Sequence, residues 1–252
     1  VHGLDDERLM GPRLDIVNPL LWEIGHLAWF HEYFVLRRID GKDPILPQTD
    51  KLYNSMKVHH DTRWDIELQD LHGTFQYMRA VEDAMIERLG DGEASEEETY
   101  LYQLTTFHED MHDEAFTYTR QTLGYPAPEF RVARDQSAPT MGAHPGDAEV
   151  AGGTITLGSK QDGVFIFDNE KWAHEVAVEP FQIAKAPVTN SEFLAFVDDG
   201  GYRDERFWDS KGWEWRELEN AECPVYWRRG EDGGCWTRAF DTDVPLPPNQ
   251  PV

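Results

Sequence analysis

Residues 95–124 read SEEETYLYQLTTFHEDMHDEAFTYTRQTLG, and this stretch decides how the N-terminal half folds. Ser95 and Glu98 form a capping box, and Glu96 and Glu97 sit in the first turn, where acidic side chains suit the positive end of the helix dipole. Leu101, Leu104, His108, Met111 and Ala115 then recur at alternating spacings of three and four, the stripe of a helix that ends near Gly124 with Pro126 beyond. His108 lies on this core-facing stripe and His112 on its flank.

Working outward, Asn18-Pro19 reads as an N-cap followed by proline at the first helical position, which predicts a helix over 18–38 that stops before Asp40-Gly41. Its apolar positions include Leu20, Ile24, Leu27, Phe34 and Val35, and Trp22, His26, Trp29 and Tyr33 form an adjoining aromatic row. After Pro44 and Pro47 comes an irregular stretch from Tyr53 to Trp64; Asp65 is then read as the cap of a second helix carrying Leu68, Leu71, Phe75, Met78, Met85 and Leu89 up to Gly90. Long helices joined by moderate loops predict an antiparallel bundle whose fourth helix is short or lost with the N-terminus. From about Pro126 to Gly153 the texture turns to Pro, Ala, Gly and Asp and reads as a linker, with a domain boundary near 130–150.

Beyond it, Ile155 and Leu157, Val176 and Val178, and Phe181 and Ile183 alternate as half-buried strands do. One short helix follows the capping box of Thr189 and Glu192 and ends at Gly200-Gly201. The five tryptophans between Trp208 and Trp236, set among glycines and charges, read as a loop-rich fold held by aromatic packing.

Across 252 residues, 48 acidic side chains against 23 basic ones give a formal charge of −25, a field that repels nucleic-acid backbones and anionic lipid surfaces. Aromatic content of 12% separates the chain from acidic disordered regions. Two cysteines, Cys223 and Cys235, make no disulfide framework, so a reducing cytoplasm is the expected compartment, and no apolar run reaches the length of a membrane span. The chain opens on Val1 rather than Met and closes in a proline-rich stretch, which predicts that both ends are cut from something longer.

The chemistry concentrates in His108-Glu109-Asp110-Met111-His112, two histidines one helical turn apart and therefore able to ligate one metal ion. Buried neutral imidazoles need partners, and a shared cation supplies one. His26, from the facing helix, is read either as the third ligand or as a core histidine donating to a backbone carbonyl, and His59 and His60 compete for that position from a polar loop. Three histidines leave open coordination positions, which suits zinc with an activated water or iron(II) with room for substrate and dioxygen. Arg63 is read as a fork for a substrate carboxylate or, equally, as a helix-cap salt bridge. The residues show no phosphate loop, nucleophile elbow or Cys-His pair.

Taken together, GHLAWFHE around His26, HEDMH around His108 and His112, GGTITLGS at 152–159 and HEVAVEPFQIAKAPVTNSEFLAFVDDGGY at 174–202 resemble the family of ergothioneine-type sulfoxide synthases and their selenoneine-synthase relatives. The resemblance implies an α plus α+β chain: a DinB-like four-helix metal-binding bundle over 1–135, then the first part of a C-type-lectin-like domain similar to formylglycine-generating enzymes over 150–252. It implies a nonheme iron(II) centre held by His26, His108 and His112, and dioxygen-dependent carbon-sulfur or carbon-selenium bond formation on the imidazole of hercynine. The implied donor is a thiol or a selenosugar, and HHDTRWD at 59–65 is closer to the selenoneine-type members. Arg63, Trp64 and Met111 are the expected substrate contacts: Arg63 for a donor carboxylate, Trp64 for a sugar or the quaternary ammonium of hercynine through cation-π contact, and Met111 where relatives can carry a glutamine near hercynine.

Asn54-Ser55 is followed by Met56-Lys57 where some relatives carry tyrosines, so no acid is assigned in that loop. The later half of the second domain, with much of the substrate pocket and a tyrosine acid in some members, is expected past Val252. Two alternatives stand beside this reading: a zinc- or nickel-dependent thiol transferase or hydrolase of DinB-like type, separated by dioxygen consumption, and a non-catalytic ligand-binding module.

Overall fold

The structure is a computed structural model that describes residues 1–90, 92–129, 144–163, 165–231 and 233–252. The described chain falls into two units, the first comprising Val1–Glu129 and Gln161–Lys171, the second running over 144–160 and Trp172–Val252.

In the first unit a short helix α1, Asp6–Met10, is capped by the Asp5 carboxylate and leads to α2, Leu20–His31. The α2 helix is the central element: from Trp22 to Trp29 every residue is buried, Glu23 and His26 included. A π-helical stretch, Glu32–Arg37, and a final turn, α3 at Arg38–Asp40, carry it to Gly41 in the left-handed region. The buried Glu32 anchors this stretch, since its carboxylate accepts the Tyr77 hydroxyl at 2.6 Å and the backbone N–H of Ile45. The short helix α4, Thr49–Leu52, is tied down by Asp50, which accepts from Arg37 and from the Trp29 indole.

Two long helices complete the unit, α5 over Leu71–Leu89 and α6 over Glu96–Leu123, and α2 packs against both. The core gathers Trp22, Ala28, Trp29, Val35, Leu36, Tyr53, Tyr77 and Val81. Residues 161–171 return to this unit, where the rings of Phe165 and Phe167 pack at a tilt against Phe107 of α6.

The second unit holds short antiparallel ribbons. Strand β1, Asp147–Val150, pairs with β4, Phe181–Ala184, and β2, Gly153–Leu157, pairs with β3, His174–Val178. A three-stranded sheet joins β5, Trp227–Arg229, β6, Cys235–Ala239, and β7, Thr242–Pro245. Helix α7, Asn190–Asp198, carries the Thr189–Glu192 capping box, and α8, Ser210–Leu218, is capped by Asp209. Mixed helix and sheet, with long helices first and short sheets after, is an α+β arrangement.

Several sequence expectations need correction. The second long helix starts at Leu71 because Asp70 caps it through the Gly73 N–H, whereas Asp65 is held by Arg13 and leaves Leu68 outside the helix. The first begins at Leu20 without a side-chain cap, since the Asn18 amide oxygen accepts from Arg63 instead. The tryptophan-rich stretch contains a helix, α8, and the expected linker contains β1, while residues 130–143 of that linker lie outside the described residues. Ile155, Leu157, Phe181 and Ile183 sit in the expected strands but stay about half exposed, because among the described residues these are two-stranded ribbons without a covering layer. Met111 departs from the core stripe and is 50% exposed.

Candidate metal centre

Two helices build the centre. The aromatic row of α2 forms as its spacing predicts: Trp22 stacks on His26 with centroids 4.9 Å apart, His26 on Trp29 at 5.8 Å, and Trp29 on Tyr33 at 5.0 Å. This row holds the His26 ring almost fully buried, 3% exposed. From α6, His108 and His112 face it, each with its centroid 5.2 Å from that of His26. One ligand atom from each of His26, His108 and His112 lies within 4.8 Å of the others.

The outer nitrogens show how each ring is held. The Nδ1–H of His26 donates to the Tyr53 carbonyl at 2.8 Å, which leaves Nε2 as a bare acceptor. His112 points its Nδ1 at a carboxylate oxygen of Glu23, 2.6 Å away. His108 stacks on Phe30 at 3.6 Å, and its Nδ1 is buried with no partner. The Nε2 atoms of His108 and His112 stand 3.2 Å apart.

Two facing imidazole nitrogens at that distance repel unless a proton or a cation sits between them. Nitrogens bound to one ion at about 2.1 Å each lie at most about 4.2 Å apart. The residues therefore fit a metal ion: the closest pair is already in range, and with one nitrogen from each ring within 4.8 Å of the others, a modest closure of the rings brings all three onto one ion.

Electrostatics keep the site in its metal-accepting form. Burial lowers the His26 pKa to about 4, against a smaller raising effect of the Tyr53 carbonyl. His108 is lowered to about 2, first by burial and then by the positive charge its neighbours His112, His26 and His31 would carry. Neutral imidazoles are the ligand form, so these rings stay available well below ordinary histidine pH.

The other candidates fall elsewhere. His60 is committed to the Val17 carbonyl at 2.7 Å, and neither His59 nor His60 joins the cluster. Arg63 lies beside the centre, its guanidinium 3.8 Å above the Trp22 ring, with one arm donating to Asn18 and another to the Val58 carbonyl. Its buried Nε has no partner, and burial lowers its pKa against the opposing field of Glu23. Trp64 is held by Nε1–H bonds to the carbonyls of Met10 and Gly11, and Arg13 lies over its ring at 5.8 Å. Met111 is exposed on α6 beside His112. An apolar cleft of about 360 Å³ bounded by Leu27, Met78, Val81 and Met85 includes none of the three histidines.

Sequence reasoning passed over Glu23, Phe30 and the Tyr53 carbonyl. Only Glu23 left a readable sign: it is a charged residue inside the apolar run LLWEIGHLAWF, three positions before His26.

Comparison with known proteins agrees with the motifs. Residues 133–251 match the model of the sulfatase-modifying factor enzyme 1-like domain. The hercynine oxygenase of Mycolicibacterium thermoresistibile is 31% identical over 98% of this chain and 55% of its own length. Those of Mycolicibacterium smegmatis and Mycobacterium tuberculosis are 28% and 30% identical, with 57% and 58% of their lengths covered. The chain thus spans little more than half the length of the curated relatives it matches. It is a homologue of hercynine oxygenases along almost all of its own sequence, and its resemblance to the ergothioneine-type sulfoxide synthase family is borne out.

Proposed function

We propose that this chain carries the metal-binding half of a nonheme iron(II), dioxygen-dependent synthase that forms a carbon-sulfur or carbon-selenium bond on the imidazole of hercynine. The observation that carries the reading is the convergence of the His26, His108 and His112 nitrogens with no fourth protein ligand in the cluster among the described residues. When bound there, iron(II) supplies reducing electrons and open positions for dioxygen and the chalcogen donor. On this reading the helical unit is the DinB-like bundle.

The chain's own residues have distinct tasks. The Tyr53 carbonyl and the Glu23 carboxylate orient two of the ligand rings, and Phe30 holds the third by stacking. Arg63, with one N–H unpaired, is the proposed anchor of a donor carboxylate. Met111, exposed beside His112, is proposed to contact hercynine apolarly. Trp64 is the weakest substrate contact, because both its indole N–H and one ring face are already engaged.

The test is anaerobic reconstitution with iron(II) of the full-length protein, followed by dioxygen uptake with hercynine plus either a cysteine-type thiol or a selenosugar. Uptake requiring hercynine and one donor supports the reading and fixes the donor. Tight zinc binding with no uptake on either donor transfers the assignment to a thiol transferase or hydrolase.

A further inference from the structure

Glu23 is 1% exposed, in the first turn of α2, whose residues from Trp22 to Trp29 are all buried. One of its oxygens lies 2.6 Å from His112 Nδ1, and the other is buried without a partner. As a stabilising device this is a poor arrangement, because a carboxylate removed from water needs several hydrogen bonds or a full positive charge to offset its desolvation. On the far side of the same ring His112 Nε2 faces His108 Nε2 at 3.2 Å, the edge at which a bound cation would supply the charge the carboxylate lacks.

The three rings are also held unequally. His26 donates to a neutral carbonyl, His108 leans on the Phe30 ring with its Nδ1 unsatisfied, and only His112 has an anion behind it. The field of Glu23 further reaches the Arg63 guanidinium and the Tyr118 hydroxyl, so one buried charge serves both the ligand and the cation beside the centre.

We infer that Glu23 is a positioning residue of the metal centre: it accepts the Nδ1–H of His112, which commits Nε2 to the metal, and it places a full negative charge one imidazole away from the bound ion. This rests on the proposal that the three histidines bind a metal. Removing an outer partner of a ligating histidine costs about 10–100-fold in metal affinity. Glu23→Gln keeps an oxygen acceptor of the same shape and removes only the charge, whereas Glu23→Ala removes both.

The experiment titrates the metal-free chain and its Glu23→Gln, Glu23→Ala and His108→Ala variants with cobalt(II), read by visible absorption. Long-range nitrogen-proton NMR of the histidine rings is recorded on the same metal-free samples. The expected result is an Nδ1–H form at both His26 and His112 in the unaltered chain. Glu23→Gln retains it, binds cobalt about tenfold more weakly and shifts the visible bands. Glu23→Ala loses the preference at His112 alone and binds about 100-fold more weakly.

Equal affinity and identical spectra in the unaltered chain and the Gln variant overturn the role of Glu23 while leaving the metal centre in place. Failure of the unaltered chain to bind cobalt, or undiminished binding by His108→Ala, overturns both. Should Glu23→Ala fail to fold, the isosteric Gln variant carries the test.

Discussion

Replacing Gly25 with alanine tests whether the packing behind the centre is as tight as the structure describes. Gly25 lies on α2 next to His26, and a Cβ built there falls 2.2 Å from Cε1 and 2.3 Å from Cζ of the Tyr53 ring. Ordinary contact begins at 3.4 Å, so the ring must retreat by about 1.2 Å. It has nowhere to go, because Tyr53 is fully buried and stacks on Tyr77. Alanine gains about 1 kcal/mol over glycine inside a helix. Overpacking of a well-filled core costs about 1–3 kcal/mol and occasionally more, and a displacement beyond 1 Å belongs at or above the top of that range. The net expectation is a loss of about 2 kcal/mol in urea unfolding of the metal-free chain.

The same movement drags the Tyr53 carbonyl that holds His26, so cobalt(II) affinity falls about tenfold in parallel. Adding Tyr53→Leu relieves the clash, and the double variant loses less stability than the sum of the two single variants. A Gly25→Ala chain at least as stable as the parent, or strict additivity with Tyr53→Leu, refutes the reasoning.

In the metal-free chain, His26 is held at a pKa of about 4, whereas the unfolded chain protonates near the ordinary value of 6.5. Between those values the unfolded state binds more protons, so stability is greatest above about pH 6.5 and falls as pH drops toward 4, at up to about 1.4 kcal/mol per pH unit for this one group; urea midpoints at pH 7, 6 and 5 should show His26→Gln with a shallower slope than the parent, and parallel slopes count against the burial argument. Tyr77→Phe strips the buried Glu32 of its 2.6 Å hydroxyl donor and costs about 1–3 kcal/mol in chemical unfolding, a loss within experimental error being the adverse result. His108→Ala removes a buried nitrogen that lacks a partner together with the ring that stacks on Phe30, so the metal-free chain should lose up to about 3 kcal/mol while metal binding disappears; a folded variant that binds metal as the parent does assigns His108 to the core instead.

The most legible part of the chain was α6, where Ser95 and Glu98 mark the start and Gly124 the end by local hydrogen bonding alone. The His108–His112 pair and the aromatic row of α2 were equally readable, because helical periodicity fixes which side chains share a face. That His26 meets the pair is a tertiary fact, set by the packing of α2 against α6, and motif resemblance supplied it where periodicity left two readings open. Glu23 was passed over because its partner lies 89 residues away, beyond any local spacing. Helix α8 was hidden by tryptophans and Gly212, although Asp209, which accepts the Gly212 N–H, is a cap that the sequence offered. The start of α5 turned on a choice between Asp65 and Asp70, settled by the Arg13 partner that only the fold brings to Asp65. Arg63 was readable as a cation near the site, but not its stacking over Trp22, which spans 41 positions of sequence and depends on the loop path.

The most direct test of the central claim is the stoichiometry of iron(II) bound under anaerobic conditions by the unaltered chain and by the His26→Ala, His108→Ala and His112→Ala variants, each checked for folding by circular dichroism. One tightly held ion per chain is expected, lost or weakened by orders of magnitude in all three folded variants. An unaltered chain that takes up no iron, or folded variants that bind it as the parent does, would contradict it.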